Sequence, residues 1–203
     1  MNDFDNRAKT WDENPIHLKR SIAIAAKMEK MIPLHNGMKA LEFGAGTGIL
    51  SFLFRDKLGT IIMMDSSAGM VEVIKEKIAF QKAENFVPLC YNLEIENYND
   101  YFDLIYNQMV LHHIANVPSL FEKFYRMILP GGFLAIADLF TEDGTFHGPD
   151  FDGHNGFDPE KLRVLLLDAG FKSVDYEECY IMDKTFADGT NKSFPIFLLV
   201  ASK

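Results

Sequence analysis

The stretch that decides the fold is rich in glycine and runs Leu41-Glu42-Phe43-Gly44-Ala45-Gly46-Thr47-Gly48. It joins a short apolar strand predicted at Lys39 to Phe43 to a helix predicted at Thr47 to Lys57. Glycines at such a turn let the backbone bend tightly and let a ligand approach without a Cβ in its way. The open amides at the start of the following helix favour an anionic or carbonyl group. Tight packing alone is a competing explanation for the glycines.

Strands and helices alternate on both sides of this turn. Short apolar runs are separated by amphipathic segments of helix length, which predicts a parallel sheet with helices on both faces. The other predicted elements of this part are strands at Thr60 to Met64, Phe86 to Tyr91, Phe102 to Tyr106 and Phe133 to Leu139, and helices at Ile16 to Met31, Ala68 to Phe80 and Ala115 to Leu129. Asn14 is placed to cap the first helix, with Pro15 at its first position.

The alternation stops after the fifth strand. Thr141 to Pro159 is a polar loop dense in Gly, Asp and Phe, and Pro159 to Ala169 is a predicted helix. The last two strands, Phe171 to Met182 and Phe194 to Ala201, are joined by Asp188-Gly189 with no helix between them. Strands joined this way must be antiparallel. The predicted fold is therefore α/β, with a seven-stranded, mostly parallel sheet and an antiparallel last strand.

Composition narrows the class of protein. The 203 residues carry 20 basic and 29 acidic side chains, a net charge of −9, and 48% are hydrophobic. We expect one domain over residues 1–203, with a helical cap at residues 1–35. The charge argues against a nucleic-acid partner, and no apolar run reaches the ~20 residues of a membrane span. The N-terminus does not fit a signal peptide. Cys90 and Cys179 fit no metal or redox spacing, so we expect reduced core residues and a cytoplasmic location.

A carboxylate follows the second predicted strand. Asp65 stands where nucleotide-binding α/β folds place an acid for ribose hydroxyls. An N-cap of the helix that starts near Ser67 is an alternative role, and both can coexist. A nicotinamide dinucleotide would require Gly-x-Gly-x-x-Gly, but Ile49 occupies the position of the third glycine.

Together these motifs resemble the class I S-adenosylmethionine-dependent methyltransferases over nearly the whole chain. The branch they resemble is that of small-molecule enzymes such as the ubiquinone/menaquinone biosynthesis methyltransferases, whose Rossmann-like sheet ends in an antiparallel strand. The segments that carry the resemblance are, in chain order, residues 41–48, Met64 to Met70, Asn92-Leu93-Glu94, Phe102 to Asn107, Leu111-His112-His113-Ile114 and Leu129-Pro130-Gly131-Gly132.

The resemblance implies S-adenosylmethionine as cofactor, S-adenosylhomocysteine as product, and a small-molecule acceptor. The cofactor-binding residues it implies are Glu42, Phe43, Gly44, Ala45, Gly46 and Gly48 for the methionine part, Asp65 for the ribose, Ser66, Met70, Asn92, Leu93 and Glu94 around the adenine, and Asn107 beside the methyl group. The third motif often has Asp where this chain has Asn92, which still donates and accepts hydrogen bonds. An NAD(P)-binding oxidoreductase and a non-catalytic S-adenosylmethionine-binding module are the alternatives.

Acceptor recognition is expected in the N-terminal helix and in the loop at Thr141 to Pro159, which we expect to act as a lid over the substrate. Trp11, His112, Phe146 and His154 are the candidate substrate residues. His112 is also the candidate base, because adjacent helical residues do not share a face and His113 would point away. A structural or helix-capping role for this histidine is the alternative. We expect no metal site, since the loop histidines lack zinc spacing and Asp150-Phe151-Asp152-Gly153 lacks further calcium ligands. An acidic loop over the pocket would favour a neutral or cationic acceptor.

Overall fold

Seven strands form one sheet within residues 3–203, the part of the chain that this computed structural model describes. In chain order they are β1 (Lys39–Phe43), β2 (Thr60–Asp65), β3 (Phe86–Cys90), β4 (Phe102–Gln108), β5 (Ile128–Leu139), β6 (Ser173–Thr185) and β7 (Asn191–Ser202). Their order in the sheet is β3-β2-β1-β4-β5-β7-β6. β1 to β5 pair in parallel, and β7 runs antiparallel to both β5 and β6. The predicted fold class is confirmed.

Helices cover both faces of the sheet. They are α1 (Asp3–Arg7), α2 (Pro15–Met31), α3 (Ile49–Leu53), α4 (Ala68–Gln81), α5 (Val117–Met127) and α6 (Pro159–Ala169), with 3-10 turns at Ala8–Glu13 and Leu111–His113. Buried residues of α2, α3 and α4 join one hydrophobic cluster, and those of α5 and α6 join another. The sheet separates the two clusters, as in other α/β proteins with helices on both faces.

The N-terminal cap contains two short elements in addition to the predicted helix. The Asn14 side chain accepts a hydrogen bond from the Ile16 amide at 3.1 Å, so its predicted capping role for α2 is confirmed. Before it, α1 and the first 3-10 turn were not predicted. Both are too short to show a helical period in the sequence, and they are held by contacts with α4 instead.

Two predicted boundaries are wrong. The helix expected over Thr47 to Lys57 is regular only at Ile49–Leu53, and the chain continues in turns. The helix expected to reach Leu129 ends at Met127, because Ile128 already pairs with Phe102 in the sheet. The ladder shifts register after this pair, which accommodates Pro130 and the two glycines inside β5.

Both cysteines are unpaired thiols, but the expectation that both lie in the core is wrong. Cys90 is exposed and Cys179 is partly buried. Cys90 is the last residue of β3, which is an edge strand of the sheet. Among the described residues, no helix combines the length and apolar character needed to cross a bilayer.

Candidate functional site

A cavity of about 930 Å³ opens at the carboxyl ends of the central parallel strands. It lies where the strand order reverses, between β1 and β4, which is the usual ligand position in open α/β sheets. The residues predicted for the site that line it are Trp11, Phe43, Gly44, Ala45, Gly46, Asp65, Ser66, Met70, Asn92, Leu93, Glu94, His112 and Phe146. Glu42, Gly48, Asn107 and His154 do not line it.

The glycine turn forms one wall of the cavity with its backbone. Gly46 has φ +56°, and a Cβ built on it would meet no atom within 4 Å, so this backbone faces open space. A Cβ on Gly44 would instead lie 2.5 Å from a methyl of Val110. The two positions therefore require glycine for different reasons. Glycine at position 44 allows close packing against Val110, and glycine at position 46 leaves room for a ligand beside the backbone.

Asp65 links the glycine turn to the start of α4. One carboxylate oxygen accepts the Gly46 amide at 2.7 Å, and the other accepts the Ser67 amide at 2.8 Å. Ser67, not Asp65, is the N-cap of α4, since its hydroxyl accepts the Met70 amide at 3.2 Å. Burial raises the pKa of Asp65. Each oxygen retains acceptor capacity toward the cavity that it borders.

Unsatisfied polar atoms lie directly beneath the turn. Glu42 is completely buried; one carboxyl oxygen accepts the Ser51 hydroxyl, and the other has no hydrogen-bond partner among the described residues. Burial raises the pKa of Glu42 to about 8, so its protonated form predominates at neutral pH. The buried amide of Asn107 likewise has no partner for either side-chain atom within residues 3–203. Buried polar groups are usually paired, so both residues point to a polar ligand.

The N-terminal segment covers the cavity from the side of α4. Phe4, Arg7 and Trp11 line it, and the Trp11 ring stacks on His17 with centroids 4.4 Å apart. Asp5 fixes this segment by accepting the Ser67 hydroxyl at 2.6 Å and the Gly69 amide at 3.0 Å.

Histidines line another part of the cavity, and one of them, His113, packs against Phe4 with ring centroids 5.5 Å apart. His112 and His113 both line the cavity, so the expectation that His113 would point away is wrong. Adjacent residues point in different directions on an α-helix, but His112 and His113 lie on a 3-10 turn. Their ring centroids are 4.3 Å apart. His147 joins them from the loop after β5. Partial desolvation, followed by the neighbouring His112, lowers the pKa of both His113 and His147 to about 4.

Asp138 holds His112 from behind. The ring N–H at Nδ1 donates to an Asp138 oxygen at 2.7 Å, and both side chains are buried. Asp138 also accepts the Leu139 amide at 2.7 Å. No sequence motif marks Asp138, because it is an isolated polar position in an apolar strand.

The loop at residues 141–159 presents its aromatic residues to the cavity. Phe146, His147 and Phe151 line it. The placement of His154 as a substrate residue is corrected: its ring nitrogen lies 3.0 Å from the Ile114 carbonyl oxygen, and its amide donates to the His112 carbonyl at 2.8 Å. His154 therefore pins the loop to the histidine turn.

None of the acidic residues of this loop is among the residues that line the cavity, although Asp183 of β6 is. Asp143 pairs with Lys192, and Asp158 caps α6. A positively charged side chain, that of Arg20, also lines the cavity. Arg20 of α2 is 7% exposed, and its Nε has no hydrogen-bond partner in the described part of the chain. Burial lowers the pKa of Arg20 to about 10, which leaves it charged at neutral pH. No sequence motif marked it.

Known proteins match both the sequence and the fold. Malonyl-[acyl-carrier protein] O-methyltransferase 1 of Ilyobacter polytropus is 33% identical over 95% of this chain and 65% of its own length. Phosphoethanolamine N-methyltransferase 3 of Arabidopsis thaliana is 28% identical over 73% of this chain and 31% of its own. The chain thus spans less than two thirds of either relative.

A solved structure has the same architecture. Phosphoethanolamine N-methyltransferase 2 of Haemonchus contortus, in complex with S-adenosyl-L-methionine, superposes with a TM-score of 0.70 at 18% identity, covering 91% of this chain and 52% of that one. The sequence also matches a family described as methyltransferase domain over residues 17–176, about four fifths of the chain. The chain belongs to this methyltransferase domain family.

Proposed function

We propose that this chain binds S-adenosylmethionine at the glycine turn and transfers its methyl group to a small molecule held beside the histidines of the cavity. The observation that carries the proposal is the open backbone at Gly46 beside Asp65, on the same cavity as the histidines. The family assignment supports a methyltransferase over an oxidoreductase. A cytoplasmic location stays a prediction.

The polar groups around the turn fit this cofactor. Asp65 has acceptor capacity for ribose hydroxyls, and Gly46 leaves room beside the backbone. Glu42 lies behind the cavity wall, and its unpartnered oxygen would accept a hydrogen bond from the ammonium group of the methionine part once the carboxyl group has released its proton. Ser66, Met70, Asn92, Leu93 and Glu94, which line the same end of the cavity, would surround the adenine.

The cofactor supplies an activated methyl group on a sulfonium, which a nucleophile can displace in line. The protein's part is then to exclude water and align the acceptor, and alignment alone can supply ~7–11 kcal/mol of barrier reduction. The N-terminal segment and the aromatic residues of the loop enclose the cavity on two sides. Asn107, buried at the end of β4 with both side-chain atoms unpartnered, would orient the reacting end of the cofactor.

The acceptor that this cavity favours carries an anionic group. A buried cation with an unsatisfied N–H is stabilised when an anion fills its site, because the desolvation cost has already been met. Arg20 provides that site at the cavity wall, and Lys184 lines the cavity nearby. The net charge predicts a neutral or cationic acceptor, whereas the buried Arg20 at the cavity wall supports an anionic one.

Calorimetric titration of the full chain tests cofactor binding. S-adenosylmethionine and S-adenosylhomocysteine should bind at one per chain, and NAD should not. Binding of NAD alone would contradict the proposal. Turnover is tested with matched acids and amides from a metabolite panel, following S-adenosylhomocysteine formation. Cofactor binding without turnover on any acceptor would indicate the non-catalytic module.

A further inference from the structure

Three histidines that are separated in the sequence converge in one part of the cavity. His112 and His113 come from the 3-10 turn after β4, and His147 comes from the loop after β5. Their ligand nitrogens all lie within 4.8 Å of one another. The ring centroids of His147 lie 4.9 Å from His112 and 5.4 Å from His113. Spacing along the chain, which predicts no metal site, does not reveal this convergence.

The His112 ring is oriented by a buried carboxylate. Its Nδ1–H donates to Asp138 at 2.7 Å, which leaves Nε2 with its lone pair free of that bond. Asp138 is itself held by the Leu139 amide at 2.7 Å. A carboxylate behind a histidine is the arrangement that fixes the ring and raises its basicity in metal sites.

We propose that His112, His113 and His147 bind one divalent first-row transition metal ion, with an open coordination position facing the cavity. Three imidazole ligands suit zinc, iron, nickel or copper, and three protein ligands with a fourth position open is the pattern of a catalytic rather than a structural zinc site. Zn²⁺ is the probe for this site. The proposal does not depend on cofactor binding.

The three histidine nitrogens must move only slightly closer together to bind one metal ion. Three nitrogens bound to one zinc ion at ~2.0–2.1 Å in a tetrahedral arrangement are about 3.4 Å apart. The histidines must therefore approach one another by roughly 1–1.5 Å from the separation of up to 4.8 Å seen here. The exposed side chains of His113 and His147 can make this movement by rotation, while Asp138 keeps His112 in place.

A bound ion changes the role of His112. The Nε2 lone pair that would accept a proton from an acceptor would instead bind the metal. The open position then takes an oxygen or nitrogen atom of the acceptor and holds it in the cavity. His112 is thereby assigned as a ligand, and the earlier expectation of a general base is replaced.

The experiment uses the full chain, stripped with a chelator and titrated with Zn²⁺ by calorimetry and with Co²⁺ by visible absorption. One ion should bind per chain. His113→Ala and His147→Ala should each weaken binding at least tenfold, whereas His35→Ala, an exposed histidine outside the cavity, should leave it unchanged. Asp138→Asn should weaken binding by roughly 10- to 100-fold, although it removes no ligand.

Two results would overturn the metal site. One is Zn²⁺ binding that is absent, or that His113→Ala and His147→Ala leave intact. The other is a thiolate charge-transfer band in the Co²⁺ complex, which would place the ion at a cysteine instead of the histidines. S-adenosylmethionine is titrated separately into the metal-free and zinc-loaded chain. Loss of cofactor binding with zinc binding retained contradicts only the proposed function, and the converse contradicts only the metal site.

Discussion

The buried carboxyl group of Glu42 gives the fold a dependence on pH that one substitution should remove. Glu42→Gln keeps the volume of the side chain and an oxygen that can accept the Ser51 hydroxyl, but it cannot ionise. The amide NH₂ group of the glutamine replaces the protonated Glu42 oxygen that has no hydrogen-bond partner among the described residues. Wild type and variant should therefore have similar stability where Glu42 is protonated in both folded and unfolded chains.

The magnitude follows from the pKa of the buried group. Burial raises the pKa of Glu42 from 4.5 to about 8, so between these values the folded chain holds a proton that the unfolded chain has released. Stability must then fall as pH rises through this window. Each pKa unit corresponds to ~1.4 kcal/mol, which makes the free energy of unfolding of wild type fall relative to the variant by about 3.5 kcal/mol between pH 5 and pH 8.

Urea denaturation at several pH values between 5 and 8 measures this difference. Subtracting the variant's curve from that of wild type cancels the other titrating groups, including His113 and His147. Glu76→Gln, at an exposed position of α4, is the matched control and should follow wild type throughout. A wild-type-minus-variant difference that stays constant to within ~1 kcal/mol over this range would refute the buried, protonated state of Glu42.

Three further predictions concern the glycine turn and its acid. Asp65→Asn should weaken S-adenosylmethionine binding at least tenfold by calorimetry with unchanged circular dichroism, because one charged acceptor for hydroxyls is lost; unchanged affinity would remove its assigned role. Gly46→Ala should cost ~1–2 kcal/mol of unfolding free energy from its positive φ and also reduce cofactor affinity. Gly189→Ala, at φ +83° in open space in the β6–β7 turn, should cost similar stability and leave cofactor affinity unchanged. Equal losses of affinity in the two variants would contradict cofactor binding at the glycine turn. Cofactor binding near pH 7 should release a proton from Glu42, seen as a buffer-dependent calorimetric heat, and no release would contradict contact with the ammonium group.

Boundaries were predictable where a local signal marked them. Asn14-Pro15 places the start of α2, and Asp188-Gly189 places the hairpin that makes β7 antiparallel. The end of α5 was not predictable, because Ile128 leaves the helix to pair with Phe102 across the sheet. That pairing joins residues far apart in the chain, and helical propensity at Ile128 and Leu129 carries no information about it.

The sequence by itself determined the architecture and the cofactor end of the site. These features depend on residues that are close together in the chain, so spacing along the sequence is enough to locate them. They are the alternating strands and helices, the turn at Gly44 to Gly48, and Asp65 after the second strand. Only the tertiary structure decided the part of the cavity that would hold the acceptor. It brings His147 to His112 and His113, buries Asp138 behind them and places Arg20 on the cavity wall. It also encloses Glu42 completely, and the environment that sets the charge of a buried group is made by packing between distant segments.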